Sequence, residues 1–300
     1  LLRLAGFIVG AGIAGSALAA DEAGRFGLDR WNTDTGLPQA SVNAVMQSRD
    51  GYLWVATLGG VARFDGITFM TLPGSDTGGL PSERALALAE DAQGRIWIAT
   101  ESGLARYDHG SFTTFDAARG LPHENVRTVA VGRDGTAWFG TSNGAFGRVD
   151  PDGRVTTLSA PDGSMGGVVR RIVTDTEGGI WALTSSGVFR VDPGSNALTL
   201  MRPPLPFPGG TQDALAPGPA GNVWMVTETG LRLASASGAR DFPWPKNAAT
   251  TPSQVRSLAA AADGSVWFGA QTGDIYRFEP QRGALSFIQA AGPGTNTDLI

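Results

Sequence analysis

The stretch "DGYLWVATLGGVARFDG", residues 50–66, sets Trp54 three residues after Gly51 and six before Gly60. The same bracket returns at Gly94, Trp97 and Gly103; at Gly135, Trp138 and Gly144; at Gly178, Trp181 and Gly187; at Gly221, Trp224 and Gly230; and at Gly264, Trp267 and Gly273. Successive motif tryptophans lie 43, 41, 43, 43 and 43 residues apart. A fixed period in the low forties is the signature of a propeller blade of four strands. The second copy shows the division: "RALALAED", "RIWIAT", "LARYD" and "SFTTFD" read as strands A to D, separated by "AQG", "ESG" and "HG" turns. No window carries the three-and-four apolar spacing of an amphipathic helix.

The bracket has a physical reason. The glycine before each tryptophan ends a tight turn between strands A and B, where positive φ is cheap only without a β-carbon. The second glycine does the same between B and C. Between them the tryptophan lies on strand B, where it can fill the wedge between two twisted sheets. Trp54, Trp97, Trp138, Trp181, Trp224 and Trp267 are therefore expected as structural core.

Gly-Leu-Pro at 36–38, 79–81 and 120–122 begins 18 residues before a motif tryptophan. It degenerates to Gly163, Pro206 and Ala249 in later copies. The glycine suits a sharp turn out of strand D, the leucine a plug between blades, and the proline a stiff approach to strand A. Trp31 precedes Gly36 as Phe115 precedes Gly120, so residues 26–31 read as a lone strand D, a closing strip for the ring. Residues 295–300, "TNTDLI", read as strand A of a further blade. The expectation is an all-β, seven-bladed propeller over residues 26–300, six full repeats plus the start of a seventh, truncated in the last blade.

Composition fits: 42% apolar residues, 43 glycines and 18 prolines suit many short strands and tight turns. A net charge of -5 with only 23 Lys plus Arg argues against a nucleic-acid partner. Cysteine is absent, which excludes disulfides and thiolate chemistry. "LLRLAGFIVGAGIAGSALAA" has Arg3, an apolar run and Ala17-Leu18-Ala19, the pattern of a signal peptide over residues 1–19 and hence of export to the periplasm. An uncleaved membrane anchor is the alternative. Gly10, Gly12 and Gly15 also form G-x-G-x-x-G, but the repeat register from Trp31 leaves no room for the βαβ unit that a dinucleotide site needs.

Residues 35–69, 79–112 and 120–144 resemble two-component regulator propeller repeats of bacterial periplasmic sensors. The likeness weakens in the later copies, where "LRLAS" at 231–235 replaces Arg-aromatic-Asp. The resemblance implies a ligand-binding sensor domain followed by a C-terminal β-domain, a membrane helix and an output domain, either a histidine kinase or a diguanylate cyclase. It also implies a full-length protein anchored in the inner membrane, with a homodimer among the expected assemblies.

Candidate chemistry is sparse. His109 and His123 are the two histidines, on loops of different class, and no metal-ligand spacing or phosphate-binding loop is present. Neither a cofactor nor a metal is expected, and no catalytic residue is assigned. Repeats such as "GSVWFGAQTGDIYRF" also resemble streptogramin-lyase propellers, so an enzyme remains the alternative, with a protein-interaction scaffold as a third reading. For binding, the position eleven residues before each tryptophan reads Asn43, Leu86, Arg127, Arg170, Asp213 and Arg256, beside an almost wholly apolar row one residue earlier. Arg127, Arg170 and Arg256, with Asn43, Arg84 and Glu124, form the expected patch for a small polar ligand or oligosaccharide. A hydrated channel mouth is the competing reading.

Overall fold

The computed structural model describes residues 31–159, 166–192, 197–201, 214–227, 229–245, 255–270 and 273–289. Six four-stranded antiparallel sheets follow one another along the chain, at residues 42–71, 85–115, 126–158, 169–200, 215–243 and 255–289. Each is a simple meander with strand order A-B-C-D. In blade 2 the strands are Ala85–Glu90, Ile96–Thr100, Gly103–Asp108 and Ser111–Phe115. No α-helix occurs among the described residues, only single 3-10 turns at Thr33–Thr35, Ser75–Thr77 and Ala117–Arg119.

All six motif tryptophans lie on strand B. The glycine ahead of each adopts positive φ, 79° at Gly94 for example, which closes the A-to-B turn in a conformation costly for other residues. The Gly-Leu-Pro glycine behaves less uniformly. Gly36 and Gly120 are left-handed, but in blade 2 that role passes to Gly78, and Gly79 is required instead because a β-carbon there would stand 1.9 Å from the Pro73 carbonyl oxygen. Leu37, Leu80 and Leu121 are all buried.

Cohesion comes from apolar clusters between blades. Trp54, Val61 and Leu72 of blade 1 pack with Ile96, Ile98 and Ala105 of blade 2. Trp97, Leu104 and Phe115 meet Val129, Phe139 and Val149 of blade 3, and blades 3 to 6 repeat the arrangement. Fully burying an aromatic of this size removes about 150–250 Å² from water, or about 4–6 kcal/mol each. Strand A packs against strand A of the next blade from blade 1 through blade 6, which makes it the innermost strand.

Six blades, not the seven expected, are found among the described residues. Five interblade clusters join them, and among the described residues none spans blades 6 and 1. The flanking side chains register the difference. Val45 is 50% exposed although its counterparts Val129, Ile172, Leu215 and Leu258 are buried. On the opposite bank Ala259 is exposed and Trp267 half-buried, while the other five motif tryptophans are buried. Trp31 stacks edgewise on Phe64 and Phe69 of blade 1, with centroids 5.3 and 6.1 Å apart. Phe115 likewise joins the cluster containing Val149 of blade 3. The rest of the closing strip, the signal peptide, the G-x-G-x-x-G segment and the seventh strand A at 295–300 lie outside the described residues. No helix among the described residues is long and apolar enough to cross a membrane.

Candidate functional site

Strand A starts at the end of the propeller that also carries the B-to-C turns. The Glu101 N–H donates to the Arg84 carbonyl at 3.1 Å, Ser142 to Asn125 at 3.0 Å and Ser185 to Val168 at 3.1 Å, so in three blades a B-to-C turn is bonded to the D-to-A loop that leads into strand A. The first residues of the innermost strands therefore form one mouth of the axial channel.

At this mouth the register breaks at the same place in five of the six blades. Pairing of strand A with strand B skips Asn43 in blade 1, Leu86 in blade 2, Arg127 in blade 3, Arg170 in blade 4 and Arg256 in blade 6. Each is the position eleven residues before the tryptophan, and each is a β-bulge. A bulge frees one residue from the ladder and re-aims its side chain, which is why bulges gather beside binding sites. The row just before it, Ala85, Val126, Val169 and Val255, is buried, with Val42 half-buried. Asp213, the blade 5 counterpart, lies outside the described residues.

Asn43 Nδ2 donates to the Ala85 carbonyl of the neighbouring blade at 2.8 Å. Arg127, Arg170 and Arg256 are half-buried at equivalent places, and the Arg127 Nε is enclosed without a hydrogen-bond partner. Arg84 is set apart from this row: it is exposed, and its Nε stands 2.6 Å from Glu101 Oε2 on the adjoining turn. Glu124 is exposed on the loop entering blade 3. The structure thus brings Asn43, Arg127, Arg170 and Arg256 to one structural position and leaves Arg84 and Glu124 exposed on the loops that lead into strand A.

The histidines are far apart in kind and place. His123 Nδ1 accepts from the Asn125 N–H at 3.2 Å near the mouth. His109, at φ 43°, sits in the C-to-D turn at the other end, its Nδ1 2.8 Å from Asp108 Oδ1. Among the described residues no group of three His, Cys, Asp or Glu is placed to hold a metal.

A second arginine row escaped the sequence reading. Arg63, Arg106, Arg148, Arg190 and Arg277 pair across from the motif tryptophans on strand C, with guanidinium carbons 5.6–6.0 Å from the indole centroids. These are cation–π contacts that cover the tryptophan and belong to the fold. An arginine nine or ten residues after each tryptophan was the available signal; Leu233 replaces it in blade 5.

The two component regulator propeller model matches residues 36–59, 79–102 and 120–143, the opening halves of blades 1 to 3. No curated protein matches the sequence. Among solved structures, the chain is similar to a streptogramin B lyase at 17% identity, with 86% of this chain and 85% of that one covered and a TM-score of 0.70. It is similar to virginiamycin B lyase from Staphylococcus aureus at 18% identity, with 82% and 83% covered and a TM-score of 0.66. The extracellular domain of the hybrid two component system BT4673 from B. thetaiotaomicron matches at 19% identity with a TM-score of 0.62, over 86% of this chain and 34% of that one. At these identities the likeness establishes a shared propeller fold. Blades 1 to 3 carry the three repeats that match the two component regulator propeller model, and the chain as a whole is a propeller of four-stranded blades.

Proposed function

We propose that this propeller is the periplasmic ligand-sensing module of a bacterial signal-transduction receptor, which binds a small polar ligand or saccharide at the axial mouth and relays occupancy to a C-terminal output domain. The observation that carries this reading is the bulge repeated at Asn43, Leu86, Arg127, Arg170 and Arg256, which frees the same strand-A residue at the channel mouth in five blades. The repeat family supports it, as does the place of a similar propeller within the larger extracellular domain of a hybrid two component system. The separation of His109 and His123 to opposite ends favours sensing over a lyase that would draw its histidines together. Signalling then follows from differential affinity of the ligand for two arrangements of the propeller with its partner domain.

A thermal-shift and calorimetric screen of polar small molecules and oligosaccharides on the purified chain tests the reading. A ligand should emerge whose binding is lost in the folded Arg127→Ala, Arg170→Ala, Arg256→Ala triple variant. Undiminished binding in that variant would move the site away from the mouth, and breakdown of a streptogramin by the purified chain would make the protein an enzyme.

A further inference from the structure

The arginines divide by what they touch. Among the described residues Arg49, Arg84, Arg95, Arg148, Arg232, Arg277 and Arg282 pair with carboxylates. Arg63, Arg106, Arg119, Arg190 and Arg240 lie over aromatic rings, Arg133 donates to the Thr176 carbonyl, and Arg171 is engaged as well. Four arginines among the described residues have no ion pair, ring or side-chain hydrogen-bond partner: Arg127, Arg154, Arg170 and Arg256. Arg154 is an exposed turn residue. The other three are the half-buried bulge residues of the channel mouth.

A half-buried guanidinium without a carboxylate costs desolvation that a structural arginine normally recovers through a partner. Three of them at one mouth create a positive focus on a protein whose net charge is -5. Arg127 and Arg170 sit in adjacent blades, and packed sheets stand roughly 10 Å apart, so two such long side chains can converge on one small molecule.

We infer that the mouth between blades 3 and 4 takes an oxyanion of the ligand, a carboxylate, sulfate or phosphate, held by the guanidinium donors of Arg127 and Arg170. Arg256, two blades on, adds to the field that draws the anion in. This assignment rests on the ligand-sensing reading and narrows it to acidic molecules.

Calorimetry and thermal unfolding of the 300-residue chain with glucuronate, citrate, sulfate and inorganic phosphate, at constant ionic strength and against chloride and glucose, provide the test. At least one oxyanion should bind, with affinity falling at least about tenfold in Arg127→Gln and in Arg170→Gln. Arg154→Gln should leave it unchanged. Glucuronate binding without the inorganic anions would assign the site to sugar carboxylates; binding of phosphate or sulfate alone would assign it to their esters. Should Arg127→Gln fail to fold, Arg127→Lys, which keeps the charge and loses the fork, should still weaken binding. Oxyanions acting no more strongly than chloride, or Arg154→Gln losing as much as the mouth variants, overturn the inference. Glucose binding that survives both glutamine substitutions would leave the sensing reading standing and remove the anion, whereas an oxyanion bound at full affinity by the triple variant would remove the anion site and move binding away from the mouth.

Discussion

Trp97 donates its indole N–H to Asp91 Oδ2 across 3.1 Å, six residues back along the chain and around the A-to-B turn. The same carboxylate oxygen stands 2.6 Å from Arg95 Nε, and its partner oxygen accepts the Gln93 and Arg95 backbone N–H groups, both at 3.0 Å. Blade 4 repeats the device with Asp175 and Trp181 at 2.7 Å, and blade 1 substitutes Ser48 for the acid at 3.0 Å from Trp54. A buried carboxylate thus ties the turn to the tryptophan that locks the next blade. Asp91→Ala should cost about 3 kcal/mol, because it strands a half-buried arginine and an indole donor together. Ser48→Ala, which removes only a neutral acceptor, should cost about 1 kcal/mol. Denaturant unfolding of both variants measures the difference, and equal losses would contradict the account.

Acid should loosen the same turn. Burial alone would push the Asp91 carboxyl up, but the Arg95 guanidinium, the Arg95 backbone N–H and the Trp97 indole outweigh it and hold the group below 3.8. A folded-state value below the unfolded one means that the proton binds more tightly to the unfolded chain. The contribution of Asp91 is therefore full above the unfolded value of 3.8 and is lost as pH falls through the lower folded one. Parent and Asp91→Asn proteins should differ in stability at neutral pH, and the gap should narrow as pH falls below 3.8 and through the lower folded value in a series of thermal melts. A gap that stayed constant as the protein was acidified would sink the argument.

Tryptophans of identical sequence context should differ in value. Trp97 is enclosed by blades 2 and 3, so Trp97→Ala leaves a cavity and should cost about 3–5 kcal/mol. Trp267 faces the bank where no apolar cluster among the described residues bridges to blade 1, and there the same change should cost under about 2 kcal/mol. A Trp97→Ala protein melting within a degree or two of its parent would refute the core role. Equal costs at both positions would refute the open bank.

Much of this was legible because one residue type marks one place. Tryptophan on strand B and glycine in the adjoining turn are demanded by packing and by φ, so the period exposed the blades and their register directly. The bulge was not legible: nothing in "SVNAV", "RALAL" or "NVRTV" marks the skipped residue, since a bulge depends on pairing with strand B and not on local composition. The row that it frees was found only as a polar column. The six full repeats of the expectation are the six blades of the structure, and the strand-like pattern at 295–300 lies outside the described residues. The arginines over the tryptophans were missed for a related reason, as their meaning lies across strands.

The final prediction concerns the gap itself. Val45 is 50% exposed on blade 1, and Ala259 is exposed on blade 6 beside the half-buried Trp267. In every other pair of neighbouring blades the equivalent side chains close an apolar core. A sheet face that no other described blade covers is a template for further packing, and the natural partner at micromolar concentration is another copy of the chain. The 300-residue protein should therefore show light scattering that rises with concentration, with cross-links mapping to blades 1 and 6. Val45→Asp places a charge on one bank without touching any of the five interblade clusters. It should reduce the association while leaving the melting temperature within a few degrees of the parent. A parent that stays monomeric at all concentrations, or association unaffected by Val45→Asp, would show that this bank is not the adhesive surface.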